Sequence, residues 1–451
     1  MKTVLIIAGS DPGAGAGLQQ DLKVATLWGT YGLTVVTALT IQNSRGVQAV
    51  HPVTPEVVDA QLHAVFSDFP VDAVKVGMLA TGDIVRVVAR RLQEQPPPYL
   101  VVDPVLAASS GAPLLEAEGI TVLKEEIFPL THLLTPNAPE AALLTGLEVS
   151  TPTLLEDAAR RLQKLGPIWV LAKGGHLPGE PVDVLTDGAN AYHLTGPRLA
   201  APHSHGSGCA LAAACAAGLA QGLSLPEAVN QARTLVAQAL RWGLPLGGGR
   251  GPVNPYAPFA RDAARYQVTK TLQEAAARLQ QEDISPLIPE VMSNLGYAAP
   301  YAEGPQDVAA FPGRLVGSPQ GLLIPAPPAF GASPPLAAVI LAAADAHPQL
   351  RSAMNIKYLA DLEKIATLLS LKVATLPESS EYATTTGGSE GSLGQRVAAV
   401  FQAGEPPADV LQDPGGGGRE PLSYILGSDP QAVAEKVLAL KNALAAAGKW
   451  G

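Results

Sequence analysis

The chain has 451 residues and a net charge of -10, with 30 Lys+Arg against 40 Asp+Glu. Such a length predicts two or more domains, and so acidic a balance excludes a nucleic-acid surface. Two cysteines make no secreted disulfide framework, no apolar run reaches a membrane span, and Val4 to Ala8 is too short for a signal peptide. A cytoplasmic globular protein without nucleic-acid or membrane partners is expected.

Val4 to Ala8 reads as a buried strand, with a glycine loop from Gly9 to Gly17 and a helix from Leu18 to about Trp28. The loop is neither a P-loop, since Leu18 stands where Gly-Lys-Ser/Thr is needed, nor a dinucleotide fingerprint, whose final spacing it lacks. A second strand, Leu33 to Ile41, ends in Gln42-Asn43-Ser44. Its carboxamide can read the donor and acceptor edge of a ring, or merely cap a turn. Helix (Pro55 to Phe69), strand (Ala73 to Met78), helix (Ile84 to Gln93) and strand (Tyr99 to Val102) then alternate. That rhythm predicts a doubly wound, mainly parallel α/β sheet with ligands at the strand C-termini. Later strand ends carry Asp103, Asn137 with Glu140, and Lys173.

His203 to Gln221 is the stretch the first half is organised around. Gly206, Ser207 and Gly208 can turn tightly into an Ala-rich helix, whose first N–H groups and positive dipole end make an anion cradle. Cys209 sits in that field, which is expected to ease its deprotonation and let it serve as a base. Cys215 reads as plain core. Carboxylates for Mg²⁺, a cation for phosphoryl charge and a glycine cradle form a phosphoryl-transfer set.

Beyond an amphipathic helix (Leu225 to Trp242), glycine and proline crowd the chain from Gly243 to Pro258. The expected organisation is a first domain over 1–245, an exposed linker over 246–265 and a smaller α/β domain over 266–451. In the second half we predict helices over Tyr266 to Gln281, Pro335 to Ala346 and Tyr358 to Leu369. Strands are expected within Asp307 to Val316, at Gly321 to Ile324 and at Leu371 to Thr375. Ser379 to Ser392 reads as a loop or a lid. Arg314, Arg351, Asn355 and Arg419, with Gly415 to Gly418, are candidate phosphate contacts.

Residues 1 to about 245 resemble the hydroxymethylpyrimidine/phosphomethylpyrimidine kinases of thiamine biosynthesis, which have the ribokinase-like fold. The resemblance rests on AGSDPGAGAGLQQDLK, VTALTIQNSRGV, KVGML, VVDPVLAASSG, LTPNAPEAALLTG, LAKGGHL and SHGSGCALAAA. It implies ATP-dependent phosphorylation of the hydroxymethylpyrimidine and then of its monophosphate, with pyridoxal or pyridoxine as the alternative substrate. It also implies roles. Gly9, Asp21, Gln42 and Met78 line the pyrimidine pocket, and Asp103 and Glu140 serve Mg²⁺. Asn137 and Lys173 face ATP phosphates, Gly206, Ser207 and Gly208 form the anion hole, and Cys209 is the base. A homodimer is implied as well.

LIPEVMSNLGYA, DVAAFPGRLV, FGAS, RSAMNIKY and GGREPLSYILGSDP resemble the ThiN-type thiamine phosphate synthase domain. That implies condensation of the pyrimidine diphosphate with thiazole phosphate, with Arg314 in the catalytic machinery. Two departures stand out. Pro334-Pro335 follows FGAS where the family commonly has a nearby His, and Lys357 replaces an Arg, keeping charge but losing the planar fork. They imply a weakened synthase, or a domain that only binds or regulates.

Overall fold

Apolar residues from Val4 to Ala8 leave no polar face, so β1 (Thr3–Ser10) is buried on both sides at the centre of a sheet. The computed structural model describes residues 1–108, 111–360, 362–377, 392–401, 407–416 and 418–447. It divides into two units, Met1–Phe259 and Ala260–Gly451.

In the first unit the other strands are β2 (Tyr31–Asn43), β3 (Gly46–Pro52), β4 (Ala73–Val76), β5 (Leu100–Val102), β6 (Leu133–Leu134), β7 (Trp169–Ala172), β8 (Val182–Thr186) and β9 (Ala191–Thr195). Their order is β3-β2-β1-β4-β5-β6-β7-β8-β9, parallel from β2 to β7 and antiparallel at the β3, β8 and β9 edges. Alternate residues of β1 feed two cores. Leu5 and Ile7 join the one that includes helices Pro55–Asp68 and Gly82–Glu94; Val4, Ile6 and Ala8 join the one with Gly17–Leu27, Ser207–Ala220 and Leu225–Arg241. Helix Ser207–Ala220 is made almost entirely of small residues and is buried from Ala210 onward, packed on β1, β4 and β5. The doubly wound sheet therefore agrees with the sequence reading. The β8–β9 hairpin and β3 were not anticipated there.

The expected linker needs correcting. Residues 246–259 belong to the first unit. The Gly251 N–H donates to His203 Nδ1 at 3.2 Å, Val253 pairs with the His205 carbonyl at 3.1 Å, and the Val253 side chain enters the core. Residues 245–248 are exposed as expected, but Gly251 is buried and permits close packing: a Cβ on it would lie 1.9 Å from the Leu244 carbonyl oxygen.

In the second unit the strands are β10 (Leu295–Ala298), β11 (Val308–Ala310), β12 (Val316–Ser318), β13 (Gly321–Leu323), β14 (Ala329–Phe330), β15 (Ser352–Lys357), β16 (Val373–Thr375), β17 (Val410–Asp413) and β18 (Leu422–Gly427). Seven of them form a sheet in the order β14-β11-β10-β15-β18-β17-β16, and β12–β13 is a separate hairpin. Among the described pairs only β16–β17 is parallel. Helices Arg265–Gln281 and Pro430–Ala446 share a core with one face; Pro334–Ala346 and Leu393–Val400 share one with the other.

The helix expected from Tyr358 starts at Leu362, because the preceding backbone is engaged elsewhere: the Leu359 carbonyl accepts Gln412 Nε2 at 2.9 Å. Pro334 and Pro335 occupy the first turn of their helix, where a missing N–H costs nothing. Of the expected loop or lid, residues 379–391 lie outside the described residues, and Ser392 caps helix Leu393–Val400.

Candidate active site

The C-terminal ends of the parallel strands open on one cavity of about 1290 Å³. At one end lie Gly9, Gln42 and Met78. At Gly9 a Cβ would lie 3.0 Å from Met78 Sδ, so any side chain there would press on Met78, and Gln42 is presented at a register shift in the β2–β3 ladder. Asp21, expected in the same wall, does not line the cavity. It is fully buried and paired through Oδ2 with Lys75 Nζ at 2.6 Å, and Lys75 is the member that lines the space. Asp21 Oδ1 is buried without a partner among the described residues. Burial pushes the Asp21 carboxyl up to about 6, against the pull of Lys75. For Lys75, burial opposes the charge, but Asp21, Cys209 and Asp103 outweigh it and hold the ammonium above its ordinary value.

The other end holds the anionic and cationic groups. Lys173 Nζ lies 3.0 Å from Asp103 Oδ1, which also accepts the Thr135 hydroxyl at 3.1 Å. Burial raises the Asp103 carboxyl, yet Lys173, Lys75 and Thr135 together hold it below the usual range. Asn137 and Glu140 form a capping box at helix Ala138–Thr145: Asn137 Oδ1 accepts the Glu140 N–H at 2.9 Å, and Glu140 Oε2 accepts the Asn137 N–H at 2.7 Å. Burial, with help from the like charge of Asp103, pushes the Glu140 carboxyl up to about 7 although Lys173 pulls it down. Two facing carboxylates, one of them reluctant to ionise, fit a hard divalent cation that keeps water or phosphate oxygens as its other ligands.

The cradle stands at this same end, beside Lys173 and Asp103. Gly206 caps helix Ser207–Ala220 in the left-handed conformation (φ 80°), and a Cβ there would meet the Gly15 carbonyl oxygen at 1.7 Å. The Ser207 N–H turns back to the Ser204 carbonyl. The Gly208 and Cys209 N–H groups have no acceptor among the described residues, which leaves two donors facing the cavity. At Gly208 a Cβ would lie 3.2 Å from Lys173 Nζ and 3.6 Å from Asp103 Oδ2, so the helix start and the cation share one spot.

Cys209 corrects an expectation. Its thiol lines the cavity, but burial pushes it up to about 12, with Asp21 and Asp103 adding to the rise. Lys75 and a hydrogen bond from the Gly17 N–H oppose this without prevailing. In the free protein the helix field does not ionise the thiol; desolvation beside two carboxylates outweighs it.

Sequence reasoning missed the brace that joins both glycine loops. The Asp11 carboxylate accepts the Gly13, Gly15 and Ala16 N–H groups at 2.8, 3.0 and 2.9 Å and meets His205 Nε2 at 3.1 Å. It missed Lys75 too, although a lone Lys in a four-residue apolar strand already calls for a buried partner.

In the second unit the candidate phosphate contacts do not form one cluster. Arg314, in the left-handed conformation (φ 64°), donates to the Val291 carbonyl, and Glu420 accepts the Glu290 and Val291 N–H groups. Asn355 is spent on backbone: it accepts the Asn294 N–H at 2.7 Å and donates to the Met292 carbonyl at 3.0 Å. Arg419 bridges to Gly416 through the backbone and precedes Glu420, so its backbone lies with the Arg314 group at one end of β10 and β15. Arg351 does not join them. It donates to the Ala298 carbonyl at the far end of β10 and stacks on Tyr297, because four strand residues span about 13 Å. Sequence reasoning also missed Arg396, which is fully buried, forms a two-pronged pair with Asp413 and thereby steadies the carboxylate that accepts the Gly415 N–H.

A doubly wound sheet whose strand ends unite a lysine, two carboxylates and a helix-start cradle has the ribokinase-like architecture, with a site suited to phosphoryl transfer. Residues 11–254 match the phosphomethylpyrimidine kinase family, and the chain belongs to it. Residues 271–439 match the thiamine-phosphate synthase ThiN domain.

The chain is 50% identical over 253 residues to the thiamine biosynthesis bifunctional protein ThiED of Geobacter sulfurreducens, covering 56% of this chain and 52% of that protein. It thus spans about half of that bifunctional relative. It is 47% identical over 251 residues to the hydroxymethylpyrimidine/phosphomethylpyrimidine kinase of Streptomyces coelicolor, covering 56% of this chain and 93% of that one. An ADP complex of Bacillus subtilis pyridoxal kinase aligns with a TM-score of 0.54 at 34% identity, covering 57% of this chain and 99% of that one. No helix among the described residues is long and apolar enough to cross a membrane.

Proposed function

We propose that the first unit phosphorylates 4-amino-5-hydroxymethyl-2-methylpyrimidine and then its monophosphate with ATP, giving the diphosphate. The observation that carries this reading is the single cavity with a ring-sized wall of Gly9, Gln42 and Met78 at one end and Lys173, Asp103 and the Gly208–Cys209 N–H groups at the other. The acceptor oxygen attacks the terminal phosphorus of ATP, the bond to ADP breaks, and the acceptor's proton passes to Cys209 or to solvent. Lys173 and the two cradle N–H groups stabilise the charge that gathers on the phosphoryl oxygens. Gln42 orients the ring through its edge.

Mg²⁺ fits Asp103 and Glu140, and when bound it neutralises phosphate charge. The thiol pushed up to about 12 means that the base reading requires bound substrate to change its surroundings. Steady-state turnover with the hydroxymethylpyrimidine, its monophosphate and pyridoxal, each with ATP-Mg, tests the reading. Pyridoxal as the preferred acceptor would overturn it. That alternative is kept in view by the structural likeness to the Bacillus subtilis enzyme.

For the second unit we propose thiamine phosphate synthesis, which joins the diphosphate to thiazole phosphate and releases pyrophosphate. The domain match and the Arg314 end of the sheet support it. Pro335 supplies no donor or proton carrier, so turnover is expected to be slow. Pro335→His should raise it and Arg314→Ala should abolish it. No synthesis by either the wild type or Pro335→His would favour a binding or regulatory module. A cytoplasmic homodimer handling only small molecules completes the proposal, and light scattering checks the dimer.

A further inference from the structure

Among the described residues five lysines and arginines line the kinase cavity, and four of them are committed. Lys75 pairs with Asp21, Lys173 with Asp103 and Arg233 with Asp183, while Arg198 donates to the carbonyls of Gly175, Leu177 and Gly179. Arg250 is different. Its exposed side chain lines the same cavity and has no acidic partner and no acceptor among the described residues.

The backbone that carries Arg250 is held firmly. The Arg250 N–H donates to the Ser44 carbonyl at 2.9 Å, the Gly249 N–H to Ser44 Oγ at 3.1 Å, and the Gly251 N–H to His203 Nδ1 at 3.2 Å. Neither flanking position admits a side chain: a Cβ on Gly249 would lie 2.2 Å from the Ser44 carbonyl oxygen, and one on Gly251 1.9 Å from that of Leu244. The segment is thus wedged between the tip of the β2–β3 hairpin, where Gln42 stands, and the start of the cradle. Its charge reaches the phosphate end as well. The His176 imidazole is held below its ordinary value first by burial and then by Lys173 and Arg250.

An uncommitted guanidinium on a rigid mount calls for an anion that is present only part of the time. ATP phosphates already have Lys173, the cradle and the carboxylate-held cation, and they are the same in both phosphorylations. What changes between the two steps is the acceptor, a neutral hydroxymethyl group first and a phosphate monoester second. We propose that Arg250 is the residue that recognises the phosphate of the monophosphorylated acceptor, and so sets the preference of this site for the second phosphorylation over the first. The inference rests on the kinase reading above.

The test is steady-state kinetics of the full chain with Arg250→Met and Arg250→Lys, using the hydroxymethyl compound and its monophosphate as separate acceptors. Arg250→Met should lower kcat/KM for the monophosphate at least about 10-fold more than for the hydroxymethyl compound, mainly through KM, as expected for one lost charge-assisted contact. Arg250→Lys should recover part of the difference, and raising salt should shrink it. Equal losses for both acceptors, or a rise in the KM for ATP alone, would place Arg250 on the nucleotide and overturn the proposal; so would no loss at all. A wild-type chain that phosphorylates neither compound would defeat the kinase reading instead. Retained thermal stability of both variants separates these outcomes from misfolding.

Discussion

Lys75→Met should be the most destabilising single change near the cavity. The Lys75–Asp21 pair is completely buried, with 2.6 Å between Nζ and Oδ2, and the second Asp21 oxygen has no partner to fall back on. Removing one member of such a pair typically costs about 3–5 kcal/mol, whereas replacing both by neutral groups of similar shape costs little. Asp21→Asn should cost less than Lys75→Met. Lys75 is also held by Asp103, while among the described residues Lys75 is the cation that acts on Asp21. The double variant should recover most of the loss, giving a coupling of about 3 kcal/mol.

The pH dependence has a definite sign. The folded Asp21 pKa lies above its ordinary 3.8, at about 6, so the stability linked to its protonation is present at low pH and lost as pH rises through 6. Without Lys75 that pKa climbs further, and the gap between variant and wild type should widen as pH rises above about 6, by up to about 1.4 kcal/mol per unit. Urea unfolding of the full chain, followed by Trp28 and Trp169 in the first unit, measures this. A heat scan should show about 2–4 °C lost per kcal/mol. Two single variants each within about 1 kcal/mol of wild type, or strictly additive losses, would refute the reasoning.

Cys209→Ala should leave the fold intact and lower kinase turnover roughly 10²- to 10⁴-fold, as for a lost general base; near wild-type turnover would make the thiol a wall residue only. Glu140 is a second acid with a raised pKa, about 7 against 4.5, so its ionisation destabilises the free protein as pH rises through that window. Glu140→Gln should flatten the fall in melting temperature there, and an unchanged slope would exclude Glu140 as its source. A chain ending at Phe259 should remain a folded kinase. One ending at Gly248 forfeits the Gly251 and Val253 contacts and should aggregate or lose turnover, and full activity of that shorter piece would contradict the packing of 249–254.

The parallel core of the first unit was legible because its strands are continuous apolar runs that each end in a polar or glycine signal, as at Ala8-Gly9 and Val102-Asp103. The same logic failed at the β8–β9 hairpin, where Asp183 and His193 interrupt the apolar residues. In the second half, short strands of two to six residues paired mainly antiparallel leave too little periodicity to read.

At the site, residue type was legible and environment was not. Cys209 was placed at a helix start, which is where it lies, but its ionisation depends on burial first and then on Lys75, Asp21 and Asp103, which come from distant parts of the chain. Arg250 was hidden by composition: a Gly/Pro-rich run signals a linker equally well when its glycines are there for tight packing. Arg351 and Asn355 look alike as polar residues of one segment, and only strand register separates them.

The brace between Asp11 and His205 joins residues 194 apart in the chain. On the ribosome, at about 5–20 residues per second, the first glycine loop would wait roughly 10–40 s for its partner to be made. Until then β1 lacks the helix Ser207–Ala220 that covers one of its faces, and its apolar side chains stay accessible to chaperones. Because the cradle is closed by residues 251–253, which emerge later still, kinase competence should appear abruptly and late in synthesis.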